Sequence, residues 1–169
     1  QEILIKICFR AIFSLPTFII LGGTDCVSYP SIGYGTFRKV IQGWFTSGAY
    51  RLAKRLLPVH ESLLYREETY YRMDSDYQGC RYWCKNLLTP STTIYNGYDA
   101  ERWVIKSNQK RSCTFATIAS AKNASTLILK GIDLVIIVAG YFPQCEFLII
   151  GISEFLIPAN APKNVIFRP

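Results

Sequence analysis

The amino-acid sequence predicts an all-β protein, a sandwich or barrel of roughly eight short strands. Eleven Tyr and ten Phe accompany many Ile and Thr, residue types that fit a pleated, half-buried surface. Short apolar runs alternate with Gly, Pro and Asn clusters about every 8–12 residues. The two longest runs, 126–139 and 146–156, are strongly β-branched.

In chain order, residues 5–26 begin basic (Lys6, Arg10), pass through an apolar run at 11–21 and end on Gly22-Gly23-Thr24. These are the three parts of a secretory signal peptide. The run falls short of the about 20 residues that a spanning helix wants. The expectation is a leader over 1–23 and one domain over 24–169, secreted and able to form disulfides. Residues 27–43 are loop-like, punctuated by Pro30, Gly33 and Gly35. The stretch 44–52 is short and apolar. Residues 51–57 carry Arg51, Lys54 and Arg55 and suit one helical turn or a strand edge, ended by Pro58. Strands are expected at 63–73, 81–86, 92–95, 102–107 and 112–119, with turns at 74–79, at Asn96-Gly97 and at 108–111. The Pro-rich tail is read as irregular.

The last apolar block has two readings. Ile132, Leu134, Ile136 and Val138 share one parity; Val135, Ile137 and Ala139 share the other. Both faces are apolar, which suits a strand between a barrel interior and a covering element. A membrane hairpin over 134–159, joined by 8–21, would instead make the chain a small membrane-embedded subunit of a larger complex. Lys130 and Asp133 flank the block, and Glu146 and Glu154 interrupt it. Each charge costs about 2.5–3.5 kcal/mol at bilayer depth, so the barrel strand is preferred.

Half of the 169 residues are hydrophobic, which supplies a core and argues against disorder. The net charge of +7 is uneven: residues 1–60 carry seven basic and two acidic side chains. The excess (Arg38, Lys39, Arg51, Lys54, Arg55) is scattered and reads as a solvated basic face that also suits an anionic membrane surface. The acids of 61–76 would repel phosphate, so no nucleic-acid partner is expected.

Of six Cys, removal of the leader deletes Cys8 and leaves Cys26, Cys80, Cys84, Cys113 and Cys145, an odd number. Cys80-x3-Cys84 has no matching pair downstream and His60 is the only His. A structural zinc site needs four ligands, so neither metal nor cofactor is expected. Asn123-Ala-Ser is a glycosylation sequon. Ser62 lies two residues from His60, but local proximity is not a triad, and no Gly-x-Ser-x-Gly, Walker loop or His-Glu-x-x-His occurs. The sequence-based expectation is a protein that is not an enzyme.

Cys26, Tyr29-Pro30, Phe37, Lys39 and Gln42-Gly43-Trp44 resemble the opening of the lipocalin family, in its apolipoprotein D-like branch, although the usual Gly-x-Trp lacks its spacer here. Ile136–Ile150 around Tyr141 and Cys145, and Tyr70-Tyr71-Arg72 through Cys80, are similar to tick salivary lipocalins. The Thr-Asp pair of that segment is missing. The resemblance implies a single antiparallel barrel (a calyx) without the usual C-terminal helix, with Trp44 closing its base as a structural residue. The expected pairings are Cys26 with Cys145 and Cys80 or Cys84 with Cys113, though connectivity does not follow from sequence.

A barrel of about eight strands holds one small ligand. Its wall would contain Tyr65, Tyr70, Trp83, Tyr95, Trp103, Ile128 and Ile150. Glu67, Glu68 or Asp99 would face a cationic amine, to which aromatic rings add attraction. The expected function is carriage or sequestration of a small hydrophobic or amphipathic molecule. An Ile/Leu/Phe face without its packing helix would invite a homodimer.

Overall fold

A computed structural model describes residues 16–102 and 113–169, and the chain divides into two compact units, Gln1–Asp99 and Ala100–Pro169. In the first, β1 (Phe18–Leu21) pairs in parallel with β2 (Arg55–Pro58). A parallel pair cannot be closed by a tight turn; it needs a crossover of about a dozen residues or more, usually helical. Helix α1 (Val40–Leu52) is that crossover, and buries Gly43, Ala49 and Tyr50. Residues 90–94 then run beside β2 in the same direction: Leu56 N–H donates to Pro90, Thr92 N–H to the Leu56 carbonyl, and Ile94 N–H to the Pro58 carbonyl. A small antiparallel pair, β3 (Arg66–Glu67) and β4 (Tyr77–Gln78), precedes helix α2 (Cys80–Trp83). Gly79 joins them at φ +117°, with the Leu64 carbonyl oxygen 2.5 Å from where a Cβ would sit. Only glycine meets both demands. Leu21, Cys26, Tyr50, Leu56, Cys80 and Leu87 are among the core residues of this unit.

The second unit is an open parallel sheet in the order β5-β6-β7: Thr114–Ala121, Glu146–Ile152 and Val165–Arg168. Helices α3 (Ala124–Leu129) and α4 (Ile132–Tyr141) form the crossover from β5 to β6. Ile132 and Ala139 are buried, with Val135 and Ile136 packed beside them. That spacing of three, four and seven is one face of a helix. Cys113 and Cys145, at the amino ends of β5 and β6, form a disulfide.

These findings overturn the all-β barrel. The sheets are open, the long sheet is parallel, and the block read as a strand at 132–139 is a helix. There is accordingly no calyx, and the lipocalin resemblance does not survive the fold. Trp44 closes no barrel; it lies on α1, 70% exposed. Residues 18–21, read as the end of a cleaved secretory leader, are β1, with Leu21 fully buried. The membrane-subunit alternative also fails. The stretch 134–159 is divided among α4, β6 and a turn at Glu154–Leu156, and among the described residues no helix is long and apolar enough to cross a membrane. Cys26 does not pair with Cys145, nor Cys80 or Cys84 with Cys113; Cys26, Cys80 and Cys84 are buried free thiols.

Candidate functional site at the carboxyl ends of the parallel strands

In open parallel α/β sheets, ligands bind outside the carboxyl ends of the strands, where the loops are free to carry chemistry. In the first unit three chain ends meet that description. β1 runs into Gly22-Gly23-Thr24-Asp25. Asp25 Oδ1 accepts the Gly23 and Gly22 N–H groups at 3.0 and 3.3 Å, and Tyr50 donates its hydroxyl to the Asp25 carbonyl at 2.8 Å and to Oδ2 at 3.0 Å. Asp25 is thus a structural pin for this loop. Burial, followed by the nearby Cys26 and Asp25, holds the Tyr50 phenol above its usual range.

β2 runs through Val59, whose N–H donates to the Leu21 carbonyl, into His60-Glu61-Ser62. His60 Nδ1 accepts the Ser62 N–H at 3.2 Å and lies 2.9 Å from Ser62 Oγ. With Nδ1 as acceptor, the neutral ring carries its proton on Nε2. The third end is Tyr95-Asn96-Gly97-Tyr98-Asp99. The Tyr95 ring meets the His60 ring edge-on at 5.9 Å. His60, Glu61, Tyr95 and Tyr98 are all exposed.

A largely buried polar network anchors the loop at Ser28 and Tyr29. Gln78 Oε1 accepts Ser28 N–H and Trp83 Nε1–H, and Gln78 Nε2 donates to the Ser28 carbonyl, each at 2.9 Å. Tyr29 donates to Glu68 Oε1 at 2.6 Å and accepts from Arg66 at 2.6 Å, while Arg66 and Glu68 pair at 2.8 Å. Burial and then the bond to Glu68 push the Tyr29 phenol up to about 12. Beneath lie the thiols. Cys26 hydrogen-bonds to Cys80, which, together with burial, keeps Cys26 protonated. Cys84 lies 2.9 Å from Ser47 Oγ.

In the second unit the carboxyl edge carries Lys122 and Asn123 after β5, Ser153 and Glu154 after β6, and Arg168 at the end of β7. Ser153 N–H donates to the Ala121 carbonyl at 3.3 Å, which joins the first two loops. Gly151, at φ +90°, lets β6 pass close to the Ala119 carbonyl, where the β5–β6 register slips. Asn123 Oδ1 caps α3 through Thr126 N–H at 2.9 Å. Its side chain is exposed at the sequon. An apolar cavity of about 560 Å³ lies toward the other end of this sheet, lined by Phe115, Leu134, Val138, Phe142, Phe147 and Leu148.

The residues expected to line a cup do not converge. Tyr65, Glu67 and Tyr70 are exposed in the first unit, while Trp83 is half-buried on α2. Ile128 lies on α3 and Ile150 on β6 in the second unit; Trp103 lies outside the described residues. Among the described residues Tyr95, and with it Asp99, reaches a strand-end loop. A carrier that encloses its ligand in a barrel is therefore excluded. His60 gains a position that sequence reasoning missed. The available signal was the unalternated apolar runs at 18–21, 147–150 and 165–167, which suit parallel strands better than the alternation of a half-exposed antiparallel sheet.

Among the described residues no cluster of three or more His, Cys, Asp or Glu is placed to hold a metal ion. No family model, curated protein or solved structure matches the chain.

Proposed function

We propose that this chain is the substrate-binding α/β core of a group-transfer enzyme that takes a nucleotide-linked sugar or a closely similar phosphate-bearing donor. The observation that carries this reading is the parallel topology of both units, which gathers their reactive side chains at strand carboxyl ends. Fold alone does not imply function, so the residue chemistry at each edge supplies the ligand class. In the second unit Lys122 and Arg168 offer cationic donors suited to phosphate. The first unit, taken by itself, presents exposed Tyr95 and Tyr98 rings, the Glu61 carboxylate and the His60 Nε2–H, ring faces with a few polar anchors of the kind that orient a hydroxylated ligand of its own. His60 donates a hydrogen bond to a ligand oxygen and is the side chain here best able to move a proton. This reading stands in place of the expected barrel carrier.

Calorimetric titration of the full chain with uridine, guanosine and adenosine diphosphates, and with inorganic phosphate, tests the reading. The expected result is that one nucleotide binds far better than phosphate. Lys122→Ala should then weaken it about tenfold, the scale of a lost charge-assisted bond of roughly 1.5 kcal/mol. If no nucleotide binds, or Lys122→Ala changes nothing, the proposal is wrong.

A further inference from the structure

We infer that the outer face of α1 is a peripheral membrane-binding surface for anionic lipid. The argument starts from charge. Residues 26–60 contain Arg38, Lys39, Arg51, Lys54 and Arg55 and no Asp or Glu. It continues with an inversion of amphipathicity. Helix α1 buries Gly43, Ala49 and Tyr50 against the core, yet Val40 is 86%, Ile41 71% and Trp44 70% exposed. At about 100° per residue, positions 40, 41, 44, 51 and 52 share an arc of roughly 120°. The helix therefore presents an apolar outer face with Arg51 on it and Arg38-Lys39 at its start.

The apolar surface continues beyond the helix. A groove of about 640 Å³ is lined by Ile20, Ile41 and Phe45 together with the polar Thr36, Gln42 and Thr46, with Asp25 as its acid. Asp25, held by Tyr50 and the Gly22 and Gly23 amides, contributes one negative charge against Arg38, Lys39 and Arg51, so the balance of this face is positive.

Charge complementarity chooses the occupant. A bilayer surface accepts apolar side chains to a depth of about 5–10 Å while its anionic headgroups meet the flanking cations. Trp is the side chain enriched at that depth. A second copy docked through the same face would bring Arg38, Lys39 and Arg51 against their own duplicates. Nucleic acid would answer the cations but leave Val40 and Ile41 without a partner. The helix is about 20 Å long and would lie in the interface plane, spanning nothing. This inference is independent of the proposed enzymatic function.

The test is cosedimentation of the full chain with vesicles of phosphatidylcholine alone and of phosphatidylcholine with equimolar phosphatidylglycerol. Parent, Arg38→Gln/Lys39→Gln and Val40→Ser/Trp44→Ser proteins are compared after each is shown to unfold at the parent's temperature. Binding is expected only with phosphatidylglycerol and should weaken with salt. Removing two cations should weaken it about 25-fold, at about fivefold each, and the apolar pair should cost at least as much. No binding, equal binding to both vesicles, or parent-like binding by either double variant overturns the inference. So does a parent dimer that Val40→Ser/Trp44→Ser dissolves, which would give the face to a second copy.

Discussion

Replacing Gln78 by Met should destabilise the first unit by about 3–4 kcal/mol without opening a cavity. Gln78 is fully buried and joins β4 to the loop at Ser28, itself 3% exposed. Its amide accepts the Ser28 N–H and donates to the Ser28 carbonyl. Met fills nearly the same space with a flexible apolar chain, so the change isolates hydrogen bonding from packing. Two buried backbone groups lose their partners at about 1–3 kcal/mol each. The Trp83 indole N–H loses its acceptor too, but Trp83 is only half-buried, so water offsets much of that. The sum centres on roughly 3–4 kcal/mol. Urea unfolding followed by tryptophan fluorescence measures it as a lower midpoint at unchanged slope. A cost below about 1 kcal/mol would refute the reasoning: the Ser28 groups would then have other partners, and Gln78 would not anchor this loop.

Two further outcomes follow from the same geometry. The Cys113–Cys145 disulfide closes a loop with a sequence separation of 32. On the chain-entropy account its loss costs about 3–4 kcal/mol. Cys113→Ser/Cys145→Ser should lower the unfolding temperature of the second unit, as followed by calorimetry. The Tyr29 phenol, at about 12 in the folded chain against 10.0 for an unperturbed tyrosine, makes stability depend on alkaline pH. The folded state keeps this proton longer than the unfolded one, so the contribution is complete below pH 10 and is lost as pH rises toward 12. Urea midpoints across that window should fall for the parent and fall less for Tyr29→Phe.

Parts of this fold can be read from particular residues. The runs at 112–119 and 146–156 lie where β5 and β6 form, and Tyr95 before Asn96-Gly97 marks a strand-end loop. The 132–139 block was ambiguous for a physical reason: nearly every position is apolar, so it satisfies an alternating period and a helical period equally. Its helical state follows from tertiary demand. β5 and β6 are parallel and adjacent, so residues between them must cross over the sheet, and a helix pairs their backbone groups internally. The same logic applies to α1, whose Trp44 looked like a barrel landmark because a Gly-Trp dipeptide carries no information about the helix that holds it.

The candidate site was less legible still. His60 stands alone in the sequence, with no triad and no ligand spacing. Its importance depends on lying at the same end of the sheet as Asp25 and Tyr95, 35 residues away on either side. The sequence by itself determined that the chain supplies a substantial core, that Arg38, Lys39, Arg51, Lys54 and Arg55 meet no Asp or Glu within residues 26–60, and which short runs are apolar enough to become buried elements. Only the tertiary structure decided that those strands run parallel, which cysteines meet, and which loops share an edge. Strand direction and pairing are set by hydrogen bonds and packing between segments far apart in sequence, and a local hydrophobic pattern is the same whichever neighbour it finds.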